Sequence, residues 1–199
     1  TDASPEAGSI RPLLRLGGKA VVRRLTDSFY AAGITRVFVV AGDKNKMIEP
    51  FVRNAETVYA PGLGGEFVTS LRTGISAALE YGDWDGVMFA ASDRAMIRPY
   101  TMKLIMREFQ PGTEPVIFPT FNGRRGYPPL LSRGMAEKLC AIESAQGGKT
   151  TLFSQGEAAR DVEVGSADMF YSMDTPEGYG AMKAACARKA PTAVECEYM

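Results

Sequence analysis

Histidine is absent from this 199-residue chain, and its absence removes several kinds of chemistry at once. Without an imidazole there is no Ser-His-Asp triad, no histidine-ligated metal and no histidine general base. Any catalysis must therefore depend on carboxylates, lysine or arginine, hydroxyls, thiols, backbone dipoles or a metal held by oxygen atoms.

Cysteine, net charge and long apolar runs are also scarce. Cys140, Cys186 and Cys196 are too few and too scattered for a disulfide framework or a zinc cluster, and they favour reduced thiols in a cytoplasmic protein. Basic and acidic residues both number 23, so the formal net charge is zero and no basic block is present to bind nucleic acid. No apolar run approaches the ~20 residues of a membrane span, and the polar N-terminal segment is unlike a signal peptide. We therefore expect no nucleic-acid partner and no membrane partner.

Apolar strands and amphipathic helices alternate along the chain. Hydrophobic residues make up 45% and charged residues 23%, as in an ordinary globular domain. The segments "TRVFVVAG", "GVMFAAS" and "PVIFPTF" indicate buried strands, and the apolar spacing predicts helices over 18–32 and 68–81. This alternation predicts an α/β fold with a parallel-dominated sheet and right-handed crossovers, in a single domain over 1–199.

Two carboxylates stand where strands end. Asp93 follows "GVMFAAS", and Asp174 lies where the extended segment "MFYSMD" meets the helix that begins "TPEG". Ligands bind at the carboxyl ends of strands in such sheets, and two carboxylates there suit one Mg²⁺ ion that also contacts substrate phosphates. The alternative is structural, with Asp93 as a turn residue and Asp174 or Thr175 as a helix cap. Spacing alone leaves both interpretations open.

Two glycine-containing segments offer contacts for a nucleotide. "GSIRPLL" places Gly8 and Arg11 where backbone N–H groups and a guanidinium can face a phosphate. "GLGGEFVTSLRTG" leads into a helix whose first turns carry Thr69 and Ser70, which can hydrogen-bond a base or a ribose. An N-terminal surface loop and a capped helix after a tight turn are the structural alternatives.

A third segment, "NGRRGYPPLL", places Arg124 and Arg125 between glycines directly after a strand. Adjacent guanidinium groups on such a loop suit a phosphate or another polyanion. A solvated hairpin has the same composition, so the segment alone does not decide between binding and structure.

The order of these segments is more specific than any one of them. "GSIRPLLRLGGKAVVRRL", "TRVFVVAGD", "TSLRTGI", "GVMFAASD", "IFPTFNGRRGYP" and "SMDTPEGY" follow one another as in the molybdenum-cofactor nucleotidyltransferases. Over about residues 8–186 the chain resembles this family, especially its cytidylyltransferase branch, which prepares cofactor for xanthine-dehydrogenase-type enzymes. "GRRGYP" resembles that branch's Arg-Gly-His-Pro motif. The resemblance implies a three-layer sandwich with a mostly parallel central sheet, of the nucleotide-diphospho-sugar transferase (glycosyltransferase-A) type.

The resemblance also implies residue roles. Asp93 and Asp174 match the family's metal-binding carboxylates, and Asp93 and Arg11 are the implied catalytic residues. Arg11 stands where the family usually has lysine. The positions that match its nucleotide contacts are Gly8, Arg11, Thr69, Ser70 and Leu71. Those that match or adjoin its substrate-facing loop are Arg124, Arg125, Gly126, Tyr127 and Pro128.

From this resemblance we expect a Mg²⁺-dependent nucleotidyltransferase. The expected reaction transfers CMP, or another nucleoside monophosphate, from a nucleoside triphosphate to a phosphorylated acceptor, a molybdopterin-type cofactor, and releases pyrophosphate. The implied partners are the nucleotide, the acceptor and a molybdoenzyme.

The sequence departs from the family pattern near Asp93. Ser92 and Ala95 stand where the family has glycine and proline, and Tyr127 stands where histidine is usual. The family also begins with a strand and a glycine-rich loop, whereas "TDASPEAG" precedes Ser9 here. Two alternatives therefore stay open. One is a catalytically inactive homologue that binds a cofactor or a partner protein, and the other is a sugar- or alcohol-phosphate nucleotidyltransferase.

Overall fold

The computed structural model describes residues 10–43, 45–60, 67–112, 116–141 and 159–188. The α-helices are α1 Val21–Ala31, α2 Asn45–Ile48, α3 Phe67–Glu80, α4 Pro99–Glu108, α5 Arg133–Ala141 and α6 Pro176–Arg188. Short 3₁₀ helices span Arg11–Leu13, Glu49–Phe51 and Ala167–Phe170. The strands are β1 Arg15–Leu16, β2 Lys19–Ala20, β3 Phe38–Ala41, β4 Glu56–Tyr59, β5 Gly86–Met88, β6 Val116–Phe121, β7 Arg124–Arg125, β8 Leu130–Ser132 and β9 Ala159–Glu163. Among the helices of these ranges, none has the length and apolarity needed to cross a membrane.

The larger sheet is built around β6. Antiparallel β8 and β7 pair with the two ends of β6, parallel β9 also pairs with it, and β5 pairs antiparallel with β8. β5, β6 and β9 therefore run in one direction, and β7 and β8 run in the other. β3 and β4 form a separate parallel pair. The predicted α/β class is confirmed. Three strands of the larger sheet share one direction, and β7 and β8 are the reversed strands, with β8 between β5 and β6.

Three layers follow from the alternation of side chains along β6. Val116 and Phe118 pack with Ile75 of α3 and Leu139 of α5, whereas Ile117 packs on the opposite face with Ile105 of α4. Val116, Ile117 and Phe118 are fully buried, as expected for a strand that is covered by helices on both faces. The helices thus flank the sheet on two sides, which confirms the three-layer prediction.

The helix that the periodicity predicts over 18–32 is shorter, because α1 begins at Val21. Residues 15–20 form the β1–β2 hairpin instead. Gly17 and Gly18 turn it with φ values of +58° and +78°, a region that favours glycine and is incompatible with a continuing helix. Gly8 of the predicted nucleotide set lies outside the described residues.

Candidate active site

Asp93 lies beyond the end of β5, on the turn that leads to α4. Its carboxylate is largely buried, with 12% of the side chain exposed. The Ser172 hydroxyl donates to Oδ2 of Asp93 at 2.6 Å, and Arg94 Nε lies 3.2 Å from the same oxygen. Oδ1 takes part in neither contact. Among the described residues, these two contacts thus hold Oδ2 of the carboxylate.

Asp174 approaches the same hydroxyl from the other side. Its backbone N–H donates to Ser172 Oγ at 3.3 Å, and its Oδ1 accepts from Arg11 Nη1 at 2.9 Å. The Asp174 side chain is 60% exposed, so its ion pair is screened by water. Asp93 and Asp174, here called the aspartate pair, are therefore joined through one serine although 81 positions separate them in the chain.

The start of α6 fixes this arrangement. Thr175 Oγ1 accepts from the Gly178 N–H at 3.1 Å, so threonine caps the helix and the Asp174 carboxylate is free of that task. A Cβ atom at Gly178 would lie 2.3 Å from the carbonyl oxygen of Ser172, a separation that no side chain tolerates. Of the two caps that the sequence allows, the structure selects Thr175.

Apolar packing holds the Asp93 turn against α6. Ala95 and Met96, just beyond Asp93, share a buried cluster with Met173 and with Tyr179 and Met182 of α6. The backbone adds a direct tie, because the Met173 N–H donates to the Asp93 carbonyl at 3.3 Å. The polar contacts of the aspartate pair are thus supported by a core that does not depend on them.

Tyr127 brings the predicted substrate-facing segment to the same place. The Arg94 guanidinium carbon lies 5.2 Å from the centroid of the Tyr127 ring, and Phe89 meets that ring edge-on at 6.2 Å. Burial raises the pKa of the Tyr127 hydroxyl, the Arg94 charge opposes that rise and the Asp93 charge adds to it. Tyr127 is therefore a neutral hydroxyl within electrostatic reach of Asp93.

Residues 124–128, which include Tyr127, are here called the arginine loop. Arg125 Nε lies 2.7 Å from Asp161 Oδ1 of β9, and its guanidinium packs over the Phe118 ring at 4.7 Å. Arg124 is exposed and packs over Phe170, also at 4.7 Å. The Arg125 charge is thus engaged inside the protein, whereas the Arg124 contact is with an aromatic ring.

Gly126 and Pro128 of the arginine loop are buried. The Gly126 N–H donates to the Pro119 carbonyl at 2.8 Å, and a Cβ atom at Gly126 would lie 2.4 Å from the sulfur of Met169. Both residues therefore shape the backbone of the loop.

The predicted nucleotide residues on α3 are divided between surface and core. Thr69 is exposed and lines an open groove of about 440 Å³ that runs along α3 beside β4, together with Arg72 and Ser76. Ser70 is half-buried, and Leu71 packs against the apolar cluster of Ile75. Aromatic contacts nevertheless connect the first turn of α3 with Tyr127, because the Phe67 ring lies 5.7 Å from the Phe89 ring, which in turn contacts Tyr127.

The donor chemistry of the aspartate pair fits a hard divalent cation. Both ligand candidates are carboxylates, and Mg²⁺ is usually bound by one or two carboxylates together with substrate phosphates and water. Within the described ranges no group of three or more His, Cys, Asp or Glu side chains is placed to hold a metal ion. A cation here would thus need oxygen ligands from its substrate.

Two residues of this site, Ser172 and Arg94, could not be identified as site residues from the sequence. Ser172 is a lone serine two positions before Asp174, and its importance depends on a contact with Asp93 that only the fold creates. Arg94 adjoins Asp93 in sequence, which indicates a possible ion pair. Its contact with the Phe170 carbonyl at 3.2 Å has no such signal in the sequence.

The model of the MobA-like NTP transferase domain matches residues 2–159. The chain belongs to this family. Membership makes it a nucleotidyltransferase-like domain, and the matched range includes Asp93, the α3 residues and the arginine loop. A comparison with curated proteins gives no match.

Members of the fold in solved structures are similar over nearly their whole length. Rv0371c from Mycobacterium tuberculosis H37Rv, in complex with manganese, is 20% identical with a TM-score of 0.74, covering 89% of this chain and 94% of that one. CMP:2-keto-3-deoxy-manno-octonic acid synthetase, complexed with CTP, is 17% identical with a TM-score of 0.66, covering 94% and 95%. Molybdopterin-guanine dinucleotide biosynthesis protein A from Archaeoglobus fulgidus is 16% identical with a TM-score of 0.62, covering 91% and 92%. These likenesses show that the MobA-like chain has the nucleotide-diphospho-sugar transferase fold.

Proposed function

We propose that the protein is a metal-dependent nucleotidyltransferase that transfers CMP from CTP to a phosphorylated acceptor of the molybdopterin type and releases pyrophosphate. The observation that carries the proposal is the aspartate pair, whose members are joined through Ser172 at the end of β5 and the start of α6. The MobA-like family membership supports the reaction class.

Within this proposal Asp93 and Asp174 hold a divalent cation, Mg²⁺ or Mn²⁺, through carboxylate oxygens. The cation would supply positive charge that neutralises the charge developing during transfer. Manganese in the similar Rv0371c structure is consistent with a divalent cation in this fold. Asp93 is the better placed ligand, because it is largely buried and only its Oδ2 carries the contacts described above.

The remaining residues position the reactants. Arg11 pairs with the exposed Asp174 and can turn its guanidinium to the triphosphate, because that pair is screened by solvent. Thr69 and Ser70, in the first turn of α3, are proposed to contact the base or ribose, beside Gly8 and Leu71. Arg124 and Tyr127 are proposed to contact the acceptor, with Arg125, Gly126 and Pro128 shaping the loop that carries them.

No general base is required for this reaction. The nucleophile is a phosphate oxygen of the acceptor that is already ionised at neutral pH, so it attacks the α-phosphorus of CTP and pyrophosphate leaves. Positioning and charge neutralisation then supply most of the catalysis. This requirement agrees with a chain that contains no histidine.

The wider setting is part of the same proposal. The whole of 1–199 forms one nucleotidyltransferase domain, acts in the cytoplasm and passes its product to a molybdoenzyme. Neither a nucleic acid nor a membrane is a partner, since the net charge is zero and the sequence carries no long apolar run.

The test is pyrophosphate release by the purified full-length protein. We expect release only when CTP, a molybdopterin acceptor and Mg²⁺ or Mn²⁺ are all present, and release that is slower by about 100-fold or more with Asp93→Asn. Isothermal titration with CTP should show binding that requires the cation. An absence of metal-dependent nucleotide binding would contradict the enzyme and favour a catalytically inactive homologue that binds a cofactor or a partner.

A second candidate is a nucleotidyltransferase for sugar or alcohol phosphates. It is favoured by the similarity to the CTP-bound CMP:2-keto-3-deoxy-manno-octonic acid synthetase. The same assay, run with a panel of nucleoside triphosphates and phosphorylated or acidic sugars, separates the two. Turnover with a sugar acceptor and none with molybdopterin would decide for the second candidate.

A further inference from the structure

Arg94 is held in place beside Asp93 by three different parts of the chain. Its Nε lies 3.2 Å from Asp93 Oδ2, its Nη1 donates to the Phe170 carbonyl at 3.2 Å, and its guanidinium lies over the Tyr127 ring. Only 23% of the side chain is exposed. The guanidinium is therefore a fixed positive charge of the site.

That charge is part of the protein itself. Arginine is a standing cation in proteins, so Asp93 already has a positive partner when no ligand is bound. A divalent cation bound to Asp93 must share the carboxylate with Arg94. Repulsion between the two positive charges is strong there, because the site is partly buried and water screens little of it.

The other member of the aspartate pair differs in this respect. Arg11 and Asp174 are 51% and 60% exposed, so solvent and salt weaken their interaction. An incoming cation therefore competes little with Arg11. The competition lies with Arg94.

We infer that Arg94 is a built-in counter-ion of Asp93 that lowers the affinity of the free protein for a divalent cation and makes binding of that cation depend on the nucleotide. A triphosphate brings several negative charges, which offset Arg94 and the cation together. This inference rests on the proposed function and adds to it a rule for the order in which the site is filled.

The experiment titrates the full-length protein with Mn²⁺ and follows free Mn²⁺ by electron paramagnetic resonance, with and without CTP. Arg94→Met removes the charge and keeps the length of the side chain. Arg94→Gln keeps a donor for the Phe170 carbonyl and serves if the Met variant does not fold. Arg107→Met is the control for net charge, because Arg107 lies in the last turn of α4, about 12 Å along the helix from Pro99.

We expect wild type to bind Mn²⁺ at least tenfold more weakly than either Arg94 variant without CTP, and CTP to shrink the difference. Arg107→Met should behave as wild type. Equal Mn²⁺ affinities for wild type and both Arg94 variants, with nucleotide-dependent binding intact, would overturn this inference alone. An equal gain in Mn²⁺ affinity in Arg107→Met would also overturn this inference. Absence of Mn²⁺ binding in every protein, even with CTP, would overturn the inference and the proposed function together.

Discussion

The aspartate pair and the arginine loop use charge in different ways. Arg125 of the loop is 2.7 Å from Asp161 and packs over Phe118, so its charge ties β7 to β9 across the two edges of β6. In the aspartate pair, the Asp93 carboxylate and the Asp174 backbone N–H both contact the Ser172 hydroxyl, next to the buried cluster of Met173 and Tyr179. Charge in the first region joins two strands of the sheet, whereas each carboxylate of the second region is paired with an arginine and is proposed to exchange that partner for a cation.

This contrast teaches that a charged motif has to be examined contact by contact. Arg124 and Arg125 are adjacent residues of the same type, yet Arg124 packs over the half-buried Phe170 ring and Arg125 forms an ion pair. The comparison predicts that changes in the aspartate pair reduce activity more than stability. Changes at Arg125 should do the reverse.

The largest effect is expected for Asp93→Asn. Loss of the carboxylate charge should lower nucleotidyl transfer by about 100-fold or more, because that charge would hold the cation. Asparagine keeps an acceptor for Ser172, so the melting temperature should fall by only about 2–4 °C. Transfer assays and thermal unfolding measure the two effects.

Asp83→Asn is the matched control, since Asp83 is an exposed loop carboxylate. It should leave both activity and melting temperature unchanged. A large drop in melting temperature for Asp93→Asn, with nucleotide and cation binding unchanged, would mean that Asp93 is only a turn residue. The aspartate pair would then contribute to stability rather than to activity, as Arg125 is expected to do.

A smaller effect is expected for Ser172→Ala. Removing the hydroxyl leaves Asp93 Oδ2 with Arg94 alone and removes the acceptor of the Asp174 N–H. We expect about a tenfold loss in kcat/KM and about 1 kcal/mol in the free energy of unfolding. Ser172→Thr keeps a hydroxyl and should recover most of the activity. Equal kcat/KM for alanine and serine would show that the serine bridge does not position the carboxylates.

Arg125→Met tests the other region. It should lower the free energy of unfolding by about 1 kcal/mol, because the ion pair with Asp161 is partly exposed and screened. Asp161→Asn should cost a similar amount, and the double variant should cost less than the sum, as urea unfolding can measure. A raised KM for the acceptor with unchanged stability would instead make Arg125 a substrate contact.

The smallest effect is a pH dependence at Tyr127. Its folded-state pKa is raised above the unfolded value of 10.0, so its contribution to stability is complete below pH 10 and is lost as pH rises further. We expect wild type to lose stability relative to Tyr127→Phe only above pH 10. The tyrosinate absorbance of Tyr127 should appear at a higher pH than that of an exposed tyrosine. A difference between the two proteins that already changes between pH 7 and 9 would contradict the buried, neutral hydroxyl.

Much of the fold could be predicted from sequence, because apolar periodicity depends on local residues. "VIFP" in β6 and the helical spacing of α3 carry their own signals, and the family resemblance orders them. The reversed direction of β8 could not be predicted from periodicity, since strand direction depends on how distant segments pair. The extent of the β1–β2 hairpin was also missed, because two glycines in a helical pattern do not reveal their φ values.

The candidate site was predictable only in part. Asp93 and Asp174 stand out because each follows an apolar segment that the sequence predicts to be extended, at the sheet edge where ligands bind. The structure keeps a strand before Asp93 only, since a 3₁₀ helix over Ala167–Phe170 precedes Asp174. The connection of the two aspartates through Ser172, and the pairing of Arg125 with Asp161, are contacts between residues 79 and 36 positions apart. Without an alignment or a structure, no local signal joins such residues.

Gly178 has a consequence for protein engineering. Because a Cβ atom there would meet the Ser172 carbonyl, the corner from 172 to 178 has a rigid and compact shape. It carries a hydroxyl, a carboxylate and a helix cap within seven residues. A designer who wishes to move half of this site onto another α/β scaffold could transplant that corner as one cassette, provided that the recipient supplies an aspartate opposite the serine.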